Sequence, residues 1–340
     1  YAVSAASTMM TPARGYAGWM NDGTRLRVTG TPNTGSISYA TSGVSGSGIT
    51  NADGWHLLSN PYPSPISVTA FTTNSGFGSP VIYDGASGPY NGSYQPAVLA
   101  GTLGIMQGFF AESMTGTVVM TENTDRVASS ATTWSNTSTL FDQMLTVSVF
   151  GNGFADKSYV YFSDDNSVTD GFDIHGDCKK FNSDAGQPTI FTSLGDIKMA
   201  LNGFTNTSMG ETSIPLGVDH GANGSFELNF EGMTAFPANT TIYVEDMQEG
   251  VYHNIANGNY VYSALASDNS DRFMIHFVLP VELATVNVNC AGDLGKIELI
   301  PSLGLADRDY TIADASGVVA EGSLNTLNAN VAAGTYTVTV

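Results

Sequence analysis

Six short segments alternate apolar and polar side chains with a period of two: 158–163 (SYVYFS), 225–230 (SFELNF), 241–246 (TIYVED), 260–265 (YVYSAL), 272–279 (RFMIHFVL) and 335–340 (TYTVTV). Successive side chains of a strand point to opposite faces, so this period builds a sheet with one buried face and does not suit the 3.6-residue turn of a helix. Between such segments fall pairs suited to tight turns, among them Asp84-Gly85, Asn91-Gly92, Asn152-Gly153, Asp170-Gly171, Asn223-Gly224 and Asn257-Gly258. The 38 glycines of the chain are enough to serve them. Helical periodicity is scarce; its best candidate, residues 193–204 (SLGDIKMALNGF), is weakened by two glycines and an asparagine. The expected fold class is all-β, as tandem antiparallel β-sandwich domains of Ig-like or jelly-roll-like kind.

A chain of 340 residues exceeds one ordinary core. Punctuation divides it into a first sandwich over 1–125, a polar connector over 126–141, a second and acidic sandwich over 142–279, and a small C-terminal unit over 281–340. The first ends with residues 109–123, read as a hairpin turning at Met114-Thr115-Gly116. Within it, residues 54–67 (GWHLLSNPYPSPIS) end a Trp-His-Leu-Leu run in three alternate prolines. Each proline fixes φ and removes a backbone donor, so the segment cannot lie mid-sheet. It reads as a strand ending in a rigid corner, with Tyr62 pinned on the core.

Only 12% of residues are charged, and acids outnumber bases 31 to 11. The net charge of −20 leaves too few cations to neutralise phosphates, which excludes nucleic acid as a partner and disfavours an anionic membrane surface. No run of eighteen apolar residues marks a transmembrane helix. Polarity comes from Ser, Thr, Asn and Gly, as in secreted β-proteins, and the start at Tyr1 reads as a mature or trimmed chain. Cys178 and Cys290 either pair in one bridge or remain buried thiols.

Three groups of residues carry candidate chemistry. Asp164, Asp165, Asn166, Asp170, Asp173 and Asp177 crowd oxygen ligands into a turn-rich stretch suited to Ca²⁺, although the EF-hand spacing is missing; the alternative is a solvated loop whose carboxylates cap turns. Tyr83, Tyr90 and Tyr94 punctuate a Gly/Ser/Asn-rich segment suited to an interaction surface, glycans included. Tyr336, Val338 and Val340 form one face of a final strand that has no Lys or Pro to blunt edge pairing, which points to docking on the second unit or on a neighbouring chain. The five histidines lie outside any HExxH or triad context, and His276 reads as a strand-face residue opposite Phe273, Ile275 and Phe277. With no Gly-x-Ser-x-Gly or P-loop either, the chain reads as non-enzymatic.

In order along the chain, MMTPARGYAGW (9–19), GWHLLSNPYPSPI (54–66), IMQGFFAES (105–113), GFDIHGDCKKF (171–181) and RFMIHF (272–277) resemble a region of large Bacteroidota cell-surface proteins exported by the type IX secretion system. Residues 281–340 are similar to a short surface repeat or to part of a C-terminal sorting domain. The resemblance implies an extracellular, cell-surface location in adhesins or gliding-type assemblies, and no catalytic activity. The expectation is therefore an exported structural or adhesive protein, self-associating or binding other surface proteins, and in filament form assembling through strand edges. The alternative is a carbohydrate-binding module.

Overall fold

The computed structural model describes residues 9–16, 29–40, 54–84, 92–113, 117–120, 122–128, 141, 143–181, 186–210, 212–238, 240–279, 281–286, 294–301, 309–323 and 329–339. The N-terminal part holds β1 (Ile37–Ala40), β2 (Trp55–Ser59), β3 (Ile66–Ser67), α1 (Val68–Ser75), β4 (Val81–Asp84), β5 (Ser93–Pro96), β6 (Thr102–Leu103), β7 (Gly108–Glu112), β8 (Thr117–Met120) and α2 (Glu122–Asp125). Four of these strands form a sheet in the order β2-β7-β4-β5. The hairpin expected over 109–123 is not formed: β7 pairs with β2 and β4, and β8 pairs instead with β1.

The fold is all-β as expected, with α1 as one short helix among the strands. Its sequence, VTAFTTNS, is poor in strong helix formers, so the ends and the packing hold it. The Ser67 hydroxyl accepts from the Ala70 N–H at the N-terminus, and Gly76 closes the C-terminus at φ 71°. Phe71 then packs edge-on against Phe109 of β7, ring centroids 5.1 Å apart.

The proline corner is tied down by one buried amide. The Asn60 Nδ2 donates to the carbonyls of Ser64 (2.8 Å), Gly104 (3.0 Å) and Leu103 (3.3 Å), while its Oδ1 accepts from the Tyr62 N–H at 3.0 Å. Tyr62 is buried and donates its hydroxyl to the Gly35 carbonyl at 2.8 Å. Prolines cannot supply those donors, so asparagine does.

Eleven strands build the central sheet: β9 (Gln143–Gly151), β10 (Phe154–Ser163), β11 (Cys178–Lys179), β12 (Thr189–Leu194), β13 (Ile197–Thr205), β14 (Ile214–Asp219), β15 (Gly224–Glu231), β16 (Thr241–Asp246), β17 (Val251–Asn254), β18 (Tyr260–Ala264) and β19 (Phe273–Val278). The order is β17-β16-β19-β14-β12-β13-β10-β9-β15-β18, with β11 paired to β13. All described neighbours are antiparallel except β10 and β13, which run parallel. The helix candidate over 193–204 is in fact the β12–β13 hairpin, turned by Gly195 at φ 57°. Its alternation of Met199, Leu201 and Gly203 against Ala200, Asn202 and Phe204 fits a strand buried on both faces, which periodicity alone separates poorly from a helix.

The sheet curls until its far edge meets its own start, forming a near-barrel. The Tyr262 ring of β18 lies 5.0 Å from Phe273 of β19, and the Tyr260 hydroxyl donates to Asp246 of β16 at 2.9 Å. Arg272 clasps the seam: Nε and Nη2 donate to the two Asp246 oxygens at 2.9 and 2.6 Å, and Nη1 donates to the Ser263 carbonyl at 3.0 Å. Both side chains of this ion pair are 1% exposed.

Two apolar cores result. One fills the near-barrel with Leu145, Val147, Val160, Phe162, Leu216, Phe226, Phe273 and their neighbours. The other joins the N-terminal sheet and α1 to the outer face of the barrel, where Tyr159, Tyr161, Cys178 and Leu201 pack with Phe71, Phe77 and Phe109. Residues 159–162 of β10 alternate between the two cores, as a strand buried on both faces requires. Tyr161 needs space on both sides: a Cβ at Gly203 would stand 2.5 Å from its Cζ, and one at Gly176 would stand 2.4 Å from its hydroxyl.

The C-terminal strands are β20 (Val281–Val286), β21 (Gly295–Pro301), β22 (Asp309–Asp314), β23 (Gly317–Ser323), β24 (Ala329–Val331) and β25 (Thr337–Thr339). They form two three-stranded sheets, β20-β21-β24 and β23-β22-β25. Ile297, Tyr310, Ile312 and Ala329 belong to one contiguous apolar cluster with the barrel interior, so this unit docks on the large sheet of its own chain.

Candidate ligand cleft on the large sheet

Strands β17, β16, β19 and β14 lie side by side at one end of the sheet. On β19, Phe273, Ile275 and Phe277 point inward and are buried, leaving Met274, His276 and Val278 on the outer face. The register sets Tyr243 opposite His276 and Tyr252 opposite Glu245. Because Ile214 pairs with Ile275, the preceding Ser213 comes level with His276 on its other side. Four strands thus deliver Ser213, His276, Tyr243, Glu245 and Tyr252 to one patch.

A hydrogen-bonded chain runs through it. The His276 Nε2 is 2.8 Å from the Glu245 Oε2, and its Nδ1 is 2.9 Å from the Ser213 Oγ. A carboxylate only accepts, which assigns the neutral-ring proton to Nε2 and makes Nδ1 the acceptor of the Ser213 hydroxyl. The Tyr252 hydroxyl first, and His276 second, hold the Glu245 carboxyl below the usual carboxylate range. Tyr252 keeps its ring 62% exposed, 5.7 Å from the imidazole. The cleft beside this chain has a volume of about 430 Å³ and is lined by Thr212, Ser213, Tyr243, Tyr252, His276 and Val278 among others. Glu245 lies behind the lining and sets the positions of two groups that form it.

Serine, histidine and a carboxylate in this order match the alignment of a hydrolase relay. Such relays shield the acid and place a pair of donors for the oxyanion. Here Glu245 is 22% exposed, with His276 and Tyr252 both beside it. The network orients the His276 ring and the Ser213 hydroxyl at the surface of the cleft.

The Asp-rich stretch lies elsewhere. It is the crossover that carries the chain from the end of β10 to the β12–β13 hairpin, and Asp165, Asp170, Asp173 and Asp177 are engaged by the chain itself. Asp165 accepts from the Ser167 N–H (2.8 Å), and Asp173 from the Thr169 N–H (2.6 Å). Asp170 accepts from the Thr205 N–H (2.9 Å) and from the Ser208 hydroxyl, bonds that outweigh burial and leave its carboxyl low. Asp177 is fully buried, taking the Gly203 N–H at 2.7 Å and the Asp173 N–H at 2.8 Å, and burial pushes its pKa up to about 7. Asp164 and Asn166 stand exposed in the same loop. Among the described residues, no three His, Cys, Asp or Glu side chains gather as a metal site.

Tyr83 and Tyr94 are not loop tips but a cross-strand pair of the β4–β5 hairpin, ring centroids 5.3 Å apart. Tyr83 is 56% exposed, whereas Tyr94 packs against Phe181 at 4.7 Å and Phe110 at 5.6 Å. Tyr90 lies outside the described residues. Cys178 is a buried free thiol; Cys290, its candidate partner, also falls outside them. At the C-terminus, Tyr336 and Val338 pack partly against the core, β25 forms the end of its sheet, and Val340 is not among the described residues. Of the cleft residues, sequence analysis singled out His276 alone, as a strand-face side chain. Tyr243 and Glu245 were visible as one face of TIYVED, but nothing in the sequence brings Ser213 to them.

The model of a family described as Domain of unknown function (DUF8693) matches residues 78–277. That span covers the large sheet up to the last residue but one of β19, together with the polar cleft residues, and begins inside the N-terminal sheet, leaving β2 and α1 outside. No curated protein and no solved structure matches the chain.

Proposed function

The chain belongs to the DUF8693 family, and for this member we propose a non-enzymatic role as an exported cell-surface structural or adhesive protein that assembles through strand edges. One observation carries the reading. Among the described residues, the C-terminal sheet β23-β22-β25 ends on both sides in strands without Lys or Pro, and Glu321 is the one charged side chain on them. On β23, Val318 and Val319 are 58% and 46% exposed, and β25 offers Thr337 and Thr339 to solvent with no Lys or Pro. Unpaired N–H and C=O groups along such edges recruit another strand, and proteins that must stay monomeric blunt them. The core shared with the barrel gives these edges a rigid mount, so their orientation persists between copies. The low content of charged residues and the resemblance to type IX-exported surface proteins support the export and surface parts of the reading.

The test is sedimentation velocity on the full chain across a wide concentration range, compared with Val318→Lys/Val319→Lys and Thr337→Lys/Thr339→Lys variants. Wild-type protein is expected to form concentration-dependent assemblies, and the charged edges are expected to remove them with little change in melting temperature. A wild type that stays monomeric at high concentration, or lysine variants that assemble equally well, overturns the reading.

A further inference from the structure

We propose that the cleft formed by Thr212, Ser213, Tyr243, Tyr252 and His276 binds a neutral saccharide. This goes beyond assembly through the C-terminal edges and rests on different residues. A sugar ring presents a C–H face and a rim of hydroxyls, so its site needs an aromatic plane beside mixed donors and acceptors. Tyr252 supplies the plane. A tyrosine 62% exposed on an edge strand would ordinarily sample several rotamers, but this one stands opposite Glu245 in the register and its ring lies 5.7 Å from the imidazole of His276, which Glu245 and Ser213 hold. The ring is therefore oriented before a ligand arrives, and the entropy of ordering it is not charged to binding. Tyr243 stands opposite His276 in the register and adds a second aromatic surface. Ser213 and Thr212 hydroxyls complete the polar rim.

Charge narrows the ligand class. No Lys or Arg is among the lining residues, and the Glu245 carboxylate stands behind them against His276, so phosphates, sulfates and uronates meet no permanent cation and one repulsive group. The volume of about 430 Å³ falls at the small end of the range for small-molecule sites, roughly 300–1,000 Å³, and suits one or two sugar rings rather than a long chain segment. The order of groups also makes Glu245 a positioning residue. It touches Tyr252 and His276, and its loss would release both without removing a ligand contact.

The experiment is saturation-transfer difference NMR on the full chain with maltose, cellobiose, lactose and N,N′-diacetylchitobiose, and with digalacturonic acid as the charged probe. At least one neutral disaccharide is expected to show saturable transfer, strongest at the C–H protons of one ring face. Tyr252→Ala is expected to weaken that binding at least tenfold, about 1.4 kcal/mol, with an unchanged melting temperature. Glu245→Gln and Tyr252→Phe are each expected to weaken it about threefold, and together by little more than either alone, because both act on the one contact between these cross-strand neighbours. No transfer from any neutral disaccharide overturns the proposal, as does preferential binding of the acidic probe or a Tyr252→Ala variant that binds as well as wild type. If no sugar binds and Tyr252→Ala instead abolishes self-association, the cleft is a protein contact and the proposal falls while assembly stands.

Discussion

Glu245 and Asp246 are consecutive residues of β16, the one paired with His276 of β19 and the other with Arg272 just before that strand, yet they serve different ends. Asp246 points into the barrel seam, where Arg272 grips it through two hydrogen bonds and Tyr260 adds a third. Glu245 points outward, where His276 and Tyr252 share it in partial contact with water. Burial alone would raise the Asp246 carboxyl, but the bonds from Arg272, Tyr260 and the Glu249 N–H leave it below its ordinary range. Alternation along one strand therefore assigns one carboxylate to the fold and its neighbour to the surface. The inner pair is inaccessible to a ligand, and the outer pair is too wet to anchor the barrel.

Breaking the inner pair should have the largest effect. Asp246→Ala leaves the Arg272 guanidinium buried without its partner, and a loss of about 3–5 kcal/mol is expected in urea unfolding. Replacing both, as Asp246→Leu with Arg272→Met, should recover much of that loss; a double variant as unstable as Asp246→Ala would show that the hydrogen bonds to Ser263 and Tyr260, not the ion pair, close the seam. Next in size is Asp177, the carboxylate that holds the crossover to Gly203 of β13. Asp177→Ala should cost about 2–3 kcal/mol by stranding the buried Gly203 N–H and the partly buried Asp173 N–H.

Asp177 also bears a sign opposite to that of Asp246. Its folded pKa of about 7 lies above the ordinary Asp value of about 3.9, so the folded protein keeps a proton that the unfolded chain has released. The stability it contributes is complete below pH 4 and is lost as pH rises through about 7. Asp246 contributes stability above its unfolded pKa and loses it as pH falls through its depressed folded value. Asp177→Asn should flatten the decline between pH 4 and 7 in thermal melts and leave the acid limb unchanged. An identical slope in the variant would assign the decline to another group. The smallest change belongs to the outer pair: Glu245→Gln should alter unfolding free energy by less than about 1 kcal/mol. A larger loss would move the cleft network from the surface to the fold and erase the contrast with its neighbour.

The sequence carried the strands well where one face meets the core and the other meets water. TIYVED coincides with β16, and RFMIHFVL contains β19 with the expected facing of Phe273, Ile275 and Phe277. It carried them poorly where both faces are buried, because the polar half of the pattern disappears; hence β13 looked helical. Helix α1 was hidden by its β-branched residues, although Ser67 and Gly76 were readable as a cap and a stop. The cleft was out of reach for another reason. Ser213 and His276 are 63 residues apart, and their meeting depends on strand order, which local pattern does not encode. The Asp-rich crossover shows the converse: clustered carboxylates stood out in the sequence, and the fold uses them chiefly to satisfy backbone N–H groups of its own loop and of β13.

The parallel pairing of β10 with β13 has a kinetic consequence. The β9–β10 hairpin turns at Asn152-Gly153 and the β12–β13 hairpin at Gly195, so each forms from neighbours in sequence on the microsecond scale. Joining them is slower, because the second hairpin must dock with its later strand inward, and that alignment closes the whole intervening crossover at an entropic cost before any parallel hydrogen bond repays it. Asp170 and Asp177, which fasten the crossover to Thr205 and Gly203, lie where the last residues of β13 must arrive. Variants at these two positions are expected chiefly to hasten unfolding while leaving the refolding rate close to that of the parent chain, the outcome for bonds that form after the barrier; slowed refolding would place them within it.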